Sequence, residues 1–251
     1  MLDVVRPAAG FFQLRDLGRM RYGEAFELQK ELVGQRQRGE IPDQLLIVEH
    51  PPVITMGRNG DAGNLLASPE LLERAGIEFH HTNRGGDVTF HGPGQIVGYP
   101  IFDLREWKRD VGAYVQALEE AIIRALGEFG IRAQRLAGAR GVWVSTPGGL
   151  GKIAAIGVHI SRWVTYHGLA LNVDTDLSYF RYIVPCGLTK PVTSMREMGC
   201  QASRADVVAA LARSFEDVFE STLEGAQRPA KEPVCSRISI TPASPGCVVR
   251  E

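Results

Sequence analysis

The sequence lacks the features that mark several large classes of protein. It has no apolar run of about 18 residues, so it predicts no membrane-spanning helix. Its 28 basic and 29 acidic residues leave a formal charge of −1, which argues against a nucleic-acid partner bound through many phosphates. The first residues, MLDVVRPAAGFFQL, have neither the basic start nor the apolar core of a secretory signal. We therefore expect a cytoplasmic protein that binds neither membranes nor nucleic acid.

Motifs for metals, disulfides and nucleotides are also missing. The sequence has four cysteines without a C-x-x-C pair and six histidines without an H-E-x-x-H motif, so it predicts neither a zinc site nor a disulfide framework. Neither of the standard glycine-rich nucleotide motifs occurs. GGLGK, at 148–152, resembles a phosphate loop only superficially, because its lysine leads into a strand-like run and not into a helix. We expect no cofactor and no metal.

Glycine, in contrast, is abundant. It supplies 28 of 251 residues, where an average usage of about 7% gives roughly 18. Most of the glycines concentrate between Gly57 and Gly98 and between Gly138 and Gly168. They have no period of three and are flanked by branched apolar residues, which excludes a collagen-like or low-complexity chain. The clusters indicate tight turns and places where the backbone comes close to a ligand.

The apolar pattern predicts an α+β fold in which helices flank a mixed sheet. Helical periodicity covers residues 22–33, 110–129 and 206–223, and a short helix follows Ser68 and Pro69. Strand-like stretches, of which the last two form a hairpin, cover residues 45–48, 77–82, 88–91, 96–101, 142–144, 153–160 and 163–171. No linker interrupts the pattern before a proline-containing end without periodicity. We therefore expect one catalytic domain, 1–224, and a mostly disordered C-terminal tail, 225–251.

The densest polar segment is RGGDVTFHGPGQ, residues 84–95. Two glycines after Arg84 let backbone N–H groups approach a ligand, while the guanidinium supplies a cationic fork. His91 precedes a Gly-Pro-Gly turn. A plain hairpin accounts for the paired glycines alone, but it does not need so many convergent polar side chains. The segment predicts a cradle for an anion or a carbonyl group.

Lys152 is the first candidate for chemistry. It precedes an apolar strand rich in small residues, where a partly desolvated ammonium can act on a neighbouring group. The alternative is a lysine that extends from the strand end to water. Small side chains at Ala154, Ala155 and Gly157 leave room for an alkyl chain, which gains about 0.8 kcal/mol for each buried CH₂.

Cys186 is the second candidate. It lies in IVPCGL, where proline and glycine hold it on a bend, whereas an inert cysteine more often lies inside an apolar element. Its thiol needs a nearby cation or base to ionise at neutral pH. The groups that can serve are Lys152, His91, His159 and His167. The cysteines without a comparable setting are Cys200, Cys235 and Cys247.

Together these motifs resemble the lipoyl(octanoyl) transferases, the lipoate-protein ligase B family. The segments that carry the resemblance are RGGDVTFHGPGQIVGYPIFDL (84–104), GVWV (141–144), GKIAAIGVHISRWVTYHGLALNV (151–173), DLSYFRYIVPCGL (176–188) and VTSM (192–195). The match runs from residue 14 to residue 223 in the family's order. It implies the catalytic-domain fold shared by biotin and lipoate ligases, and an acyltransferase of lipoate biosynthesis.

The resemblance also implies partners and a site. Octanoyl-acyl carrier protein is the implied donor, and lysines of the lipoyl domains of 2-oxoacid dehydrogenases and of glycine cleavage H protein are the implied acceptors. Cys186 would carry the acyl group as a thioester, and Lys152 would lower the pKa of that thiol. The implied substrate-binding residues are Arg84, Gly85, Gly86, Asp87, Val88, Thr89, Phe90, His91, Ala155, Ile156, Gly157, Gly168, Leu169 and Ala170.

Exchange between two thioesters is nearly isoenergetic and amide formation is downhill, so this reaction needs no ATP. Backbone N–H groups near Gly187 or along the Lys152 strand are candidates to hold the tetrahedral oxyanion. Three other functions fit parts of the pattern. An ATP-dependent lipoate ligase would not require Cys186, a cysteine hydrolase would pair Cys186 with His91 or His167, and a non-catalytic lipoyl-domain binder would need no nucleophile.

Overall fold

Two β-sheets and four α-helices make up residues 10–184 and 191–224, the part of the chain that the computed structural model describes. The helices are α1 (Tyr22–Gln37), α2 (Pro69–Arg74), α3 (Val111–Glu128) and α4 (Arg204–Phe219). The strands are β1 (Phe11–Arg19), β2 (Asp43–Glu49), β3 (Val53–Met56), β4 (Glu78–His81), β5 (Val88–His91), β6 (Gln95–Ile101), β7 (Ala133–Leu136), β8 (Ala139–Thr146), β9 (Gly149–Ser161), β10 (Val164–Asn172) and β11 (Thr222–Leu223). Short 3₁₀ turns cover Ala62–Asn64 and Leu177–Tyr182.

The larger sheet has eight strands in the order β11-β1-β2-β6-β10-β9-β8-β7. Strand β1 runs parallel to both β2 and β11, and the other neighbours are antiparallel, so the sheet is mixed as the sequence predicts. The smaller sheet has the order β4-β3-β5, with β3 parallel to β4 and antiparallel to β5.

Helices cover both faces of the larger sheet. Strand β2 shows this most simply, since Leu45 and Ile47 belong to the core formed with α3 and α4, whereas Leu46 and Val48 belong to the core formed with α1. Alternate residues of a strand point to opposite faces, so a sheet covered on both sides needs a continuous apolar run such as LLIV. Burying each such side chain stabilises the fold by about 1.5–3 kcal/mol.

Side-chain caps set the starts of α3 and α4. Asp110 accepts a hydrogen bond from the N–H of Ala113 at 2.9 Å, and Ser203 accepts one from the N–H of Asp206 at 3.2 Å. Each bond satisfies an N–H that has no partner inside its helix. Helix α4 ends at Phe219, earlier than the predicted 223, because Glu220 adopts a left-handed φ of 51° and the chain then adds β11 to the sheet.

The smaller sheet has a core of its own, made with α2 and the turn Leu177–Tyr182. Phe90 stacks on Tyr179 with ring centroids 4.9 Å apart and an interplanar angle of 4°. This packing holds one side of β5 in the core of the smaller sheet, while Thr89 and His91 on its other side line the site described below. Strands β1, β3 and β7 were not predicted from the sequence. In the described part of the chain, no helix has the length and apolar character needed to cross a membrane. The predicted tail, 225–251, lies outside the described residues.

Candidate active site

A cavity lies between the α1 face of the larger sheet and strand β5 of the smaller one. With its open mouth it measures about 470 Å³, which is within the range of about 300–1,000 Å³ usual for ligand sites. Its lining comes from α1, β5, β6, β9, β10 and the loop before β5. The lining residues are Tyr22, Arg84, Gly86, Thr89, His91, Val97, Tyr99, Ala155, Ile156, Gly157, His167, Gly168, Leu169 and Ala170.

A smaller space adjoins this cavity and contains Lys152. Thr89, Ala155 and Ala170 line both spaces, so the two are neighbours. The further lining residues of the smaller space are Gln95, Lys152, Asn172, Phe180 and Val192. The structure therefore places the lysine predicted for catalysis next to the cavity formed by the predicted substrate-binding segments.

Arg84 anchors the loop that closes the cavity. Its Nη2 donates to the carbonyl oxygen of Thr55 at 2.6 Å, and its Nε donates to Thr55 Oγ1 at 3.2 Å. The next N–H, that of Gly85, donates to the carbonyl of Val158 in β9 at 2.8 Å. Arg84 and Gly85 together thus link the smaller sheet to the larger one, and Arg84 also forms part of the cavity wall.

Not all of the segment 84–91 faces the cavity. Strand β5 alternates, so that Thr89 and His91 line the cavity while Val88 and Phe90 pack in the core of the smaller sheet. Asp87 accepts hydrogen bonds from the side chain of Asn64 and, at 3.0 Å, from the N–H of Asp61. Gly85, Asp87, Val88 and Phe90 are thus placed outside the cavity lining, where they shape the loop and the strand that carry the others.

The cavity histidines are neutral at neutral pH. Burial lowers the pKa of His91 to about 3, with a further contribution from nearby His50. Burial, followed by the charge of Arg84, lowers the pKa of His167 to about 3. Neither ring carries a positive charge, so each could assist a thiol only as a neutral base, the other role that the sequence analysis left open. His159 donates its Nδ1–H to the carbonyl of Asn83 at 2.8 Å.

Hydrogen bonding fixes the tautomer of His91. Gln95 donates from Nε2 to Asn172 Oδ1 at 2.8 Å, which leaves its Oε1 to accept from His91 Nδ1 at 2.7 Å. With the proton on Nδ1, the neutral ring offers Nε2 as an acceptor.

Lys152 is buried in strand β9, with 7% of its surface exposed, so the alternative of a lysine that extends to water is wrong. Its Nζ lies 4.8 Å from the centroid of the Trp143 ring. Its backbone N–H donates to the carbonyl of Pro191 at 2.9 Å, and its carbonyl accepts from the N–H of Thr193 at 2.9 Å. Because the backbone N–H of Lys152 already donates to Pro191, it does not supply the oxyanion donor suggested for the Lys152 strand.

Cys186 and Gly187 lie outside the described residues. The chain on both sides of them is held in place, since Val184 donates its N–H to the carbonyl of Asn64 at 2.8 Å and Pro191 pairs with Lys152. Among the other cysteines, Cys200 is partly buried against the main core, and Cys235 and Cys247 also lie outside the described part.

Two cavity glycines allow close contacts within the protein. A Cβ at Gly168 would lie 2.3 Å from the carbonyl oxygen of Gly98, and one at Gly157 would lie 2.8 Å from the carbonyl oxygen of Gly85. These distances are shorter than real Cβ contacts. The glycines therefore bring strands and loop together, whereas the sequence interpretation assigned their closeness to a ligand.

Sequence reasoning missed two polar residues of the site. Tyr22 was included in the helical periodicity of residues 22–33, yet its hydroxyl donates to Thr82 Oγ1 at 3.0 Å beside the cavity. Asn172 is a buried amide inside an otherwise apolar strand, as is Gln95, which the predicted cradle already included. Buried polar groups need partners, and such isolated amides are the signal that could have found them. Among the described residues, no group of three His, Cys, Asp or Glu side chains is placed to hold a metal ion.

The larger sheet, with helices on both faces, carries a buried lysine beside an open cavity, as expected for a catalytic domain of the lipoate-ligase type. Residues 21–216 match the family described as Lipoyl protein ligase A/B catalytic domain, and the chain belongs to that family. It is 62% identical over 207 residues to an octanoyltransferase of Solibacter usitatus, a match that covers 82% of this chain and 92% of the relative. It is 53% identical over 213 residues to an octanoyltransferase of Koribacter versatilis, covering 83% of this chain and 84% of that one.

A solved structure shares the fold. It is that of a bi-partite lipoate protein ligase from Thermoplasma acidophilum, with a TM-score of 0.68 and 17% identity over 85% of this chain and 86% of the other. This likeness confirms the predicted fold. The two curated relatives are acyltransferases by name, which confirms the predicted class of enzyme.

Proposed function

We propose that this chain transfers an octanoyl group from octanoyl-acyl carrier protein to the lysine of a lipoyl domain, as a step of lipoate biosynthesis. The observation that carries the proposal is the position of Lys152, which is buried beside a cavity in a chain 62% identical to an octanoyltransferase.

The cavity suits an uncharged alkyl chain. Its apolar lining includes Val97, Ile156 and Leu169, and its neutral histidines add no charge. Each buried CH₂ contributes about 0.8 kcal/mol, so a straight saturated chain gains affinity with every carbon that the cavity accommodates. The hydroxyl of Thr89, which can donate a hydrogen bond, is suited to hold the carbonyl end.

The proposed chemistry has two acyl transfers. In the first, the thiolate of Cys186 attacks the carbonyl of the donor thioester, the new C–S bond forms, the bond to the carrier's sulfur breaks, and that sulfur takes up the proton released by Cys186. In the second, the acceptor amine attacks the Cys186 thioester, the C–N bond forms, the C–S bond breaks, and an amine proton returns to Cys186. Lys152 lowers the pKa of Cys186 as an ammonium or moves the proton as an amine.

The acceptors we propose are the lipoyl domains of 2-oxoacid dehydrogenases and of glycine cleavage H protein. The Thermoplasma acidophilum ligase that shares this fold is described with its E2 lipoyl domain, which supports a lipoyl domain as the protein substrate. An ATP-dependent ligase of the same fold and a cysteine hydrolase remain the competing functions.

The test is transfer to an isolated lipoyl domain, with octanoyl-acyl carrier protein as donor and no ATP. We expect octanoyl amide on the domain's lysine with the wild type, none with Cys186→Ala, and a normal amount with the matched control Cys200→Ala. A strict requirement for ATP would favour the ligase. Release of free octanoate without amide would favour the hydrolase.

A further inference from the structure

We propose that Trp143 is a positioning residue, whose indole face holds the Lys152 ammonium in place for acyl transfer. The proposal rests on the function given above, because it assigns Lys152 to the reaction. Nζ of Lys152 lies 4.8 Å from the ring centroid of Trp143, within the distance of about 6 Å over which an aromatic face attracts a cation. Tryptophan has the strongest such face among the aromatic side chains.

The pairing of the two residues depends on an irregularity in the sheet. Strands β8 and β9 are antiparallel, with Val142 opposite Ala154 but Trp143 opposite Lys152, and the register shifts between the two pairs. A regular ladder that started from the first pair would place Ile153, not Lys152, opposite Trp143. The bulge is therefore what brings lysine and indole together, and bulges re-aim side chains in this way.

Gly141 makes this bulge possible. Its φ is 106°, and a Cβ there would lie 2.5 Å from the carbonyl oxygen of Ala154. Its N–H donates to Oε1 of the buried Glu119 on α3 at 3.0 Å. The two strands can thus approach only at a glycine, and a helix side chain fixes the point of approach.

The ring itself is held firmly. Trp143 is 1% exposed, and its Nε1–H donates to the carbonyl of Ala139 at 3.3 Å. Its neighbours Val142 and Val144 belong to the core beside α3, so alternation directs the indole to the opposite face of the sheet, the face that carries Lys152. An indole face therefore stands at a fixed place beside the long, flexible side chain of Lys152.

The chemistry explains why an aromatic face suits this task. A carboxylate would neutralise the ammonium and occupy its N–H donors. A ring attracts the charge through its quadrupole and leaves the three N–H donors for other contacts. The ring contact therefore positions the ammonium without using the N–H groups that would contact a reacting sulfur or oxyanion.

The experiment weakens the quadrupole of the tryptophan ring in steps while keeping the shape of the ring. The protein is produced with tryptophan or with its mono-, di- and trifluorinated analogues, and steady-state octanoyl transfer is measured. We expect kcat to fall stepwise, by about 10- to 30-fold across the series, with KM changed less than twofold. Trp143→Phe labelled in the same way is the matched control, since it still contains Trp107 and Trp163, and its kcat should not vary with fluorination.

A second readout does not depend on activity. The Lys152 side-chain methylene signals should show a ring-current shift in the NMR spectrum of the folded wild type, and this shift should disappear in Trp143→Leu. A kcat that is independent of fluorination, or methylene signals at ordinary positions in the wild type, overturns the inference. Wild type that shows the ring-current shift but transfers no octanoyl group would refute the proposed function while supporting the placement of Lys152.

Discussion

Gln95 donates from Nε2 to Oδ1 of Asn172 at 2.8 Å, and this bond links the two parts of the site. On one side, Gln95 accepts the ring N–H of His91 at 2.7 Å. On the other, Asn172 donates from Nδ2 to the carbonyl of Thr193 at 3.0 Å, and the N–H of Thr193 donates to the carbonyl of Lys152 at 2.9 Å. One continuous chain of hydrogen bonds therefore holds both the cavity imidazole and the backbone of the candidate catalytic lysine.

Gln95→Glu tests this chain. The substitution keeps the shape but replaces a donor by an anion beside the oxygens of Asn172 and Phe90, both of which accept from Nε2 in the native protein. We expect a loss of at least about 1–3 kcal/mol in the free energy of unfolding, the cost of leaving buried polar groups unsatisfied, together with a lower kcat. Urea unfolding and transfer kinetics measure the two effects. Gln201→Glu, an exposed counterpart, should change neither quantity.

Gly168→Ala tests the close packing of the cavity strands. The added methyl group would meet the carbonyl oxygen of Gly98 at 2.3 Å, which the paired backbones cannot relieve without moving β6 from β10. We expect the free energy of unfolding to fall by about 1–3 kcal/mol or more, as at other overpacked sites. Octanoyl transfer should also be weaker.

The matched control is Gly127→Ala. Gly127 lies in α3, and a Cβ there meets nothing within 4 Å. Alanine in a helix is more favourable than glycine by about 1 kcal/mol, so this variant should unfold at a higher denaturant concentration than the wild type. An equal effect of both substitutions would contradict the packing argument.

Three buried histidines make stability depend on pH. Burial lowers the pKa to about 4 for His50 and to about 3 for His91 and His167. Below pH of about 6.5 the unfolded chain binds protons at these rings while the folded chain does not. The contribution of these neutral rings to the free energy of unfolding is therefore complete above that pH. It is lost as the pH falls, by up to about 1.4 kcal/mol per pH unit for each ring.

Urea unfolding at a series of pH values between 7 and 5 checks this dependence. We expect His91→Gln to reduce the pH slope of the free energy of unfolding by one proton relative to the wild type. Gln201→Asn, which changes no titratable group at an exposed position, should leave that slope unchanged. A slope that is the same in all three proteins would show that His91 takes up its proton equally in the folded and unfolded states.

Truncation tests the predicted domain boundary. Strand β11 pairs Thr222 with Phe11 and Leu223 with Phe12, and the N–H of Glu224 donates to the carbonyl of Phe12 at 3.0 Å. A chain that stops after Glu224 keeps these bonds and should match the full chain in Tm and in transfer. A chain that stops after Ser221 loses them, and its Tm should fall by a few degrees, at about 2–4 °C for each kcal/mol. Loss of folding in the chain that stops after Glu224 would contradict the boundary at 224.

The regular elements with strong local signals were predictable. Helix α3 was predicted at 110–129 and is Val111–Glu128, because its apolar period, its Asp110 cap and the glycine that follows it all agree. The β9–β10 hairpin was predicted across Ser161 and Arg162. Its turn is at Arg162 and Trp163, which take φ values of 47° and 71°.

Elements and contacts that depend on distant partners were not predictable. Strand β1 is half-exposed and lies between β2 and β11, whose sequences are far apart, so no local pattern defines it. The structure brings Arg84, His91 and Lys152, which the sequence analysis named, to one cavity and the space that adjoins it. The contact between Trp143 and Lys152 was not predicted, because it depends on a bulge that shifts the register by one residue.

The most direct measurement of the central claim is the intact mass of the protein after incubation with octanoyl-acyl carrier protein alone, followed by addition of a lipoyl domain. The account predicts one octanoyl adduct on Cys186, sensitive to hydroxylamine as a thioester is, which disappears as the lipoyl domain gains the same mass on its lysine. Lys152→Met should form this adduct more slowly. An adduct on Cys200 instead, or transfer that proceeds in Cys186→Ala, would contradict the account.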